Sequence, residues 1–317
     1  MKTALITGGT GFLGRHLGLA LKDRYRVVLT GRNNKHNMDA QQFTGCRALP
    51  MDVTNIESVR DAFTEVRPDV VVHAAATKYV DLSEVQPMEC IDINVIGSQN
   101  IARVSVEKGV PTVIGMSTDK TAPPVANTYG LTKALMERVF CAMNAKTEAT
   151  RFACVRHGNI AWSTGSVFPI WKKMHDATGV IGSTGPDMTR YFSHVDEAVA
   201  LVITAIDNIE TVQGAVLSRK MKAAVIRDFL ETWIKHKGGS WKQIEGRPGE
   251  RPHEYLIGEP ELSYTSELEF NGVPHFLIKF NERAANPLAS AFCSADAPRL
   301  TETEMLAIID HPPIGEL

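Results

Sequence analysis

Cysteine is scarce in this 317-residue chain: Cys46, Cys90, Cys141, Cys154 and Cys293 are scattered, odd in number and form no C-x-x-C pair. A disulfide framework and a zinc site are therefore not expected, and the thiols read as reduced core residues. Long apolar runs are missing too. Hydrophobic residues make up 44% of the chain, yet no stretch approaches the roughly 18 uninterrupted apolar residues needed to cross a bilayer. There is no surplus of charge of either sign. A net charge of −2 argues against nucleic acid or an anionic membrane as partner, and short charged runs such as residues 219–222 read as solvated faces. The first residues enter a strand with no basic region, apolar core and cleavage site ahead of it, so a soluble cytoplasmic protein is expected. Internal repeats and low-complexity segments are also absent.

What is present is a regular alternation. Residues 2–7 form an apolar strand that runs into Gly8-Gly9-Thr10-Gly11-Phe12-Leu13-Gly14 and then an amphipathic helix carrying Leu17, Leu19 and Leu21. Glycines at 8, 11 and 14 allow a tight turn, close approach of backbone amides to a pyrophosphate, and close packing of helix on strand. A Gly-rich loop alone is weak evidence, but strand before and helix after supply the context that gives it meaning. The next strand, residues 26–30, ends at Gly31-Arg32-Asn33-Asn34-Lys35, with no acid before Asp39. A carboxylate there would hold the ribose 2′-hydroxyl of NAD, whereas Arg32, helped by Lys35, suits the 2′-phosphate of NADP. NADP is therefore favoured over NAD. The alternative is that Arg32 is an ordinary surface loop residue.

A third strand, 46–51, ends at Asp52-Val53, placed to contact an adenine. A fourth, 68–73, is β-branched enough to be central in a parallel sheet. It ends in Ala74-Ala75-Ala76, whose small side chains leave room for a flat cofactor, and Lys78 at that edge can reach a ribose or a sugar phosphate. Residues 87–108 read as one long helix containing Asn94. Strands alternating with helices imply right-handed crossovers and a doubly wound parallel Rossmann sheet.

The chemistry concentrates in Gly115-Met116-Ser117-Thr118-Asp119-Lys120 and Asn127-Thr128-Tyr129-Gly130-Leu131-Thr132-Lys133. Residues 131–143 favour helix, so Tyr129 and Lys133, four apart, share a face. The ammonium then favours ionisation of a phenol whose unperturbed pKa is about 10, making Tyr129 a base near neutral pH. The same spacing occurs by chance on many helices, and only the neighbouring motifs give it weight.

After a sixth strand, 151–157, the pattern loosens. Residues 158–160 and 164–167 read as loops, 168–178 and 196–207 as helices, 263–280 as a hairpin and 302–309 as a closing helix. The polar loop 246–254 carries Arg247 and Arg251, which would clamp a second diphosphate bidentately or else be solvated. The division expected is a dinucleotide-binding and catalytic part, residues 1–160, interleaved with a smaller α/β substrate-binding subdomain, 161–317.

Together the Gly-Gly-x-Gly-x-x-Gly loop, the Tyr-x-x-x-Lys pair and the hydroxyl upstream resemble extended short-chain dehydrogenases/reductases. Ser117 to Lys120, Met188-Thr189-Arg190-Tyr191-Phe192, Val155-Arg156-His157-Gly158-Asn159-Ile160 and Arg247-Pro248-Gly249-Glu250-Arg251-Pro252-His253-Glu254 resemble, within that superfamily, the UDP-N-acetylglucosamine 4,6-dehydratases that invert C5. The likeness spans residues 3–258 and returns weakly at 294–305. It implies that Tyr129 is the base, Lys133 its activator and Thr118 the hydroxyl that contacts the sugar's 4-oxygen. Asp119 and Lys120 match the pair that replaces the Asp-Glu of C5-retaining dehydratases. The resemblance also implies that Ser117, Tyr129, Lys133, Lys78 and Asn159 contact the cofactor. Lys78, Thr118, Asn159, Ile160, Val167, Arg190, Arg247 and Glu250 would contact the nucleotide sugar. Phe12-Leu13 stands where the family often has Ser-Phe, and Arg251 where it usually has Lys.

The expected reaction is an internal redox dehydration. Tyr129 takes the 4-hydroxyl proton during oxidation at C4, and the new ketone acidifies H5. Lys120, its pKa depressed by burial and cationic surroundings, removes H5, and a protonated Asp119 donates to the departing 6-hydroxyl. A 4- or 5-epimerase or a 5,6-dehydratase is the nearer rival and a non-catalytic NADP-binding regulator the farther one. A homo-oligomer is expected.

Overall fold

The apolar runs picked out above become the parallel strands of one sheet. In the computed structural model, which describes residues 1–246 and 249–313, the elements alternate from the start. They are β1 (Thr3–Thr7), α1 (Phe12–Leu21), β2 (Arg26–Gly31), α2 (Asn34–Thr44), β3 (Arg47–Pro50), α3 (Ile56–Val66) and β4 (Val70–His73). Next come α4 (Val80–Val85), α5 (Pro87–Ile91), α6 (Gly97–Glu107), β5 (Thr112–Met116), α7 (Thr128–Asn144) and β6 (Arg151–Arg156). The second half holds β7 (Asn159–Ile160), α8 (Val167–Thr178), β8 (Val180–Ser183), β9 (Thr189–Ser193), α9 (Val195–Asp207), α10 (Ile209–Val212), β10 (Val216–Arg219) and β11 (Ala223–Val225). It closes with α11 (Ile226–Lys237), β12 (Ser240–Gln243), β13 (Tyr255–Ile257), β14 (Thr265–Phe270), β15 (Val273–Ile278), β16 (Phe292–Cys293) and α12 (Glu302–Asp310).

The main sheet has the order β14-β15-β10-β6-β5-β4-β1-β2-β3. From β3 to β10 every pairing is parallel, and the β14–β15 hairpin adds an antiparallel edge. β1, β4 and β5 are buried at every residue. Because successive side chains point to opposite faces, each strand feeds two cores. Leu5, Val71 and Val113 pack with Phe63, Ile101 and Phe140. Ala4, Ile6, Val72 and Ile114 pack with Leu17, Leu21, Val199 and Val202 on the other face. A third core, with six aromatic rings among its buried residues, lies under the second half, where Phe168 meets Phe229 edge-on at 5.1 Å and Phe192 at 5.5 Å.

Two sequence readings change. Residues 87–107 are not a uniform helix, because a π-helical stretch at Asp92–Ile96 interrupts them. There the buried Asn94 amide donates to the Thr77 carbonyl at 3.1 Å and Thr132 Oγ1 at 3.0 Å, and its Oδ1 accepts from Thr77 N at 3.0 Å. These partners lie on the loop after β4 and on α7, so the wider turn is coupled to both. Asn159–Ile160, read as loop, forms β7, which pairs in parallel with Phe192–Ser193 of β9. A two-residue strand leaves no alternation in the sequence to find.

Candidate active site

The sheet order reverses between β1 and β4, and a crevice must form outside the carboxyl ends of the strands there. A cavity of about 1000 Å³ occupies it. Gly8 directly follows β1 at φ +64°, and a Cβ there would lie 2.7 Å from the Ala75 backbone, so only glycine lets the two loops close on each other. Gly8, Gly11, Phe12, Leu13 and Gly14 line the cavity, as do Ala74, Ala75 and Ala76. α1 starts with no side-chain cap and no acidic residue in its first turn, which leaves the positive end of its dipole for an anion. Arg32, Asp52, Val53 and Lys78 also line the cavity, and so does Asp39 on α2. Lys35 is exposed on α2 and is not part of that lining, so the second cation expected beside Arg32 is not brought to the site.

At the far end, β5 delivers Ser117 and the 3-10 turn Asp119–Thr121. α7 follows, its first turn held by Asn127 Oδ1, which accepts from Gly130 N at 2.8 Å. Asp119 is fully buried, and its Oδ1 accepts from Lys120 Nζ at 3.0 Å and from Thr118 Oγ1 at 3.0 Å. Its Oδ2 is buried without a hydrogen-bond partner among the described residues. Lys120 Nζ also reaches Asn159 Oδ1 at 3.4 Å and lies 3.7 Å from Glu254 Oε1. Ser117, Thr118, Lys120, Tyr129, Lys133, Asn159, Ile160, Val167, Arg190, Glu250 and Glu254 all line the same cavity.

The electrostatics correct two expectations. Burial pushes the Lys120 ammonium toward neutrality, but Asp119 and Glu254 outweigh it and the net direction is up. The surroundings that were expected to be cationic are dominated by two carboxylates, so Lys120 rests as an ammonium. Burial also pushes the Tyr129 phenol up, to about 12, and the cation that acts against this is Lys120. Lys133, the expected activator, is itself pushed down to about 8 by burial. Among the described residues its one hydrogen bond is to Met136 Sδ at 3.1 Å. A buried amine paired only with a thioether, facing a cavity lined by a glycine loop and a helix N-terminus, fits a dinucleotide whose ribose hydroxyls would complete its coordination.

Glu254 is the residue that sequence reading passed over. It is 3% exposed, and burial would raise its pKa, yet Lys120, Arg190 and Arg251 together hold it below the usual carboxylate range. Its Oε2 accepts from Arg251 Nε at 3.0 Å, and its Oε1 lies 3.8 Å from Arg190 Nε. Arg251 is thus a buried partner of Glu254 and of the Pro124 carbonyl, not a clamp for a diphosphate. Arg247, the other expected clamp, lies outside the described residues. Glu250 Oε1 accepts from Thr184 Oγ1 at 2.9 Å.

The sequence profile of the polysaccharide biosynthesis protein family matches residues 4–272. The chain belongs to this family. An inverting UDP-N-acetylglucosamine 4,6-dehydratase of Campylobacter jejuni is 32% identical over 333 residues, covering 98% of each chain. A protein of Methanocaldococcus jannaschii named only as an uncharacterized membrane protein is 35% identical over 287 residues, covering 84% of each. No helix among the described residues here is long and apolar enough to cross a membrane. Among solved structures, Pen from Bacillus thuringiensis superposes with a TM-score of 0.87 at 26% identity, covering 97% of this chain and 96% of that one. The family's Rossmann, short-chain dehydrogenase/reductase architecture is the one described above.

Proposed function

We propose that the chain is an NADP-dependent 4,6-dehydratase of UDP-N-acetylglucosamine or a related UDP-hexosamine, acting with inversion at C5. One observation carries this reading. Lys120 lines the cavity that holds Thr118, Tyr129 and Lys133, and behind it, outside that lining, the buried Asp119 accepts from its ammonium at 3.0 Å. An epimerase or a plain reductase needs the last three residues and has no use for an acid–base pair beside them.

A bound nicotinamide dinucleotide would supply the redox chemistry, oxidising C4 of the sugar and reducing C6. Burial holds the Tyr129 phenol up, to about 12, so the positive charge of an oxidised nicotinamide would have to add to that of Lys120 before Tyr129, as phenolate, takes the 4-hydroxyl proton; Thr118 orients that oxygen. Lys120 rests as an ammonium, so it becomes a base only by passing a proton to a neighbour. Of its two carboxylate neighbours, Glu254 is held below the usual carboxylate range by Lys120 itself, with Arg190 and Arg251, whereas Asp119 Oδ2 has no hydrogen-bond partner among the described residues. Transfer from Lys120 to Asp119 yields a neutral amine beside a carboxylic acid. The amine removes H5, acidified by the 4-ketone, and the acid protonates the 6-oxygen as the C6–O bond breaks. The C6 hydroxide leaves as water with the proton from Asp119, H5 on the amine restores the resting ammonium–carboxylate pair, and the proton taken by Tyr129 passes to solvent in balance with the one that C5 regains. Inversion follows when C5 regains a proton on the face opposite Lys120.

Arg32 at the end of β2 supports NADP through charge-assisted bonding to a 2′-phosphate. Arg190, Glu250 and Val167, which line the same cavity as the glycine loop, would supply the nucleotide end of the substrate site. Val85, Met88, Leu131 and Leu135 remain exposed on α4, α5 and α7, which supports a homo-oligomer. The reading is tested by incubating the purified protein with UDP-N-acetylglucosamine in deuterated water and following the sugar by NMR. Loss of water with a new C6 methyl group and deuterium at C5 is expected. A 4-epimer without label, or no turnover across a nucleotide-sugar panel, would overturn it.

A further inference from the structure

Beneath the reactive turn lies a buried ionic network that the reaction scheme does not use. Glu137, on α7, accepts from Ser117 Oγ at 2.5 Å and from Thr121 Oγ1 at 3.0 Å, both on the same Oε1. Ser117 and Thr121 stand immediately before and after Thr118-Asp119-Lys120. The two hydroxyls therefore bracket the reactive triplet and pin both of its ends to one carboxylate. The single Thr121 hydroxyl proton is shared between Glu137 and the Thr118 carbonyl, the latter at 2.7 Å, which closes the turn on itself.

Glu137 follows Lys133 by four residues, as Lys133 follows Tyr129, so the three share one stripe of α7. Arg156 holds the other side of Glu137, with Nε to Oε1 at 3.0 Å and Nη2 to Oε2 at 2.7 Å. It also bonds both oxygens of Glu261, at 2.8 and 2.9 Å, and the Leu256 carbonyl at 2.7 Å. Arg156 is 0% exposed and Glu137 1%. A bidentate guanidinium at this depth fixes the Glu137 rotamer. Buried ion clusters contribute little net stability against apolar packing of the same volume, so stability alone does not account for this one.

We propose that Glu137 is a positioning residue that sets the distance and angle of the Thr118–Lys120 turn relative to Tyr129 and Lys133. This rests on the dehydratase reading for the identity of the reacting groups, but not for the geometry. Elements held independently by a strand and by a helix need a common anchor if the phenol and the amine are to meet one substrate. A displacement of about 1 Å at such a site costs on the order of 10²-fold in rate.

The test is Thr121→Val, which keeps shape and removes the hydroxyl, with Thr121→Ser as rescue and Glu137→Gln as second probe, all in the NADP-loaded full-length protein. The expected result for T121V is a fall in kcat of tenfold or more with KM for the nucleotide sugar within threefold of wild type. T121S restores kcat to within threefold, and E137Q falls like T121V. An unchanged kcat in T121V, or a loss that T121S does not recover, overturns the proposal. Should the wild type turn over no nucleotide sugar, the functional reading alone fails. The crystal structure of T121V then decides the positioning claim: a turn displaced from α7 supports it, and an unmoved turn refutes it.

Discussion

Gly130 is the contact through which the reactive turn rests on α7, and Gly130→Ala tests how finely that spacing is set. A Cβ at this position would lie 2.3 Å from the Lys120 carbonyl oxygen and 2.9 Å from Val125 Cγ1. The first obstacle is backbone and cannot swing aside as a side chain would. Restoring an ordinary contact requires the turn to retreat by about 1 Å. For stability, overpacking costs about 1–3 kcal/mol, partly offset by the roughly 0.5–1 kcal/mol that alanine gains over glycine in a helix. The variant should therefore stay folded, with a modest loss by urea denaturation. For catalysis, moving Lys120 by about 1 Å costs on the order of 100-fold in kcat. The assay is turnover of UDP-N-acetylglucosamine by NMR, beside NADP affinity by fluorescence titration. A folded G130A protein with kcat within threefold of wild type would show that the turn tolerates the shift, and the argument from close packing would fail.

The remaining predictions concern charge. Glu254→Gln removes one of the two carboxylates that hold the Lys120 ammonium up, so the Lys120 pKa falls; NMR titration of the Lys120 side chain checks this, and a pKa that stays put or rises refutes it. Lys133→Met should stabilise the protein without cofactor by about 3 kcal/mol at pH 7, from the fall of its pKa from 10.5 to about 8. The sign follows from burial: below about pH 8 both states are protonated and the folded one bears the full cost of a buried charge. Between about 8 and 10.5 the folded state sheds its proton first, and the advantage of Met over Lys fades. Urea unfolding at pH 7 and pH 10 checks this, and a gain that grows with pH would contradict it. Arg32→Ala should weaken NADP by about 10–100-fold, the worth of a charge-assisted contact, and leave NAD within threefold; equal losses for both would assign Arg32 another role.

Much of the first half was legible because its signals are local. The Gly8 loop sits between a strand and a helix, β4 is a run of β-branched residues, and Tyr129 and Lys133 share a helix whose cap, Asn127, is adjacent. Each needs a window of only a few residues. The second half resisted because its strands are short and held by distant partners. Asn159–Ile160 is a strand only by pairing with Phe192–Ser193, and β10 is central only because β6 and the β15 hairpin flank it.

Charge states were the least legible, since they depend on groups that the chain brings together from far apart. From the sequence, Lys120 has one acidic neighbour, Asp119, and a base of lowered pKa looks natural. The fold adds Glu254, delivered by the loop before β13 and kept ionised by Arg190 and Arg251, and the direction reverses. That reversal constrains any mechanism built on this site. A buried ammonium between two carboxylates cannot remove a carbon-bound proton, but it can exchange its own proton with the carboxylate whose second oxygen is orphaned. Under the proposed reaction the pair is inert at rest and would become acid and base through one proton transfer over 3.0 Å. In that reaction Lys120 and Asp119 would work as a pair, and Glu254, held below the usual carboxylate range by Lys120, Arg190 and Arg251, would keep the ammonium in place until the transfer occurs.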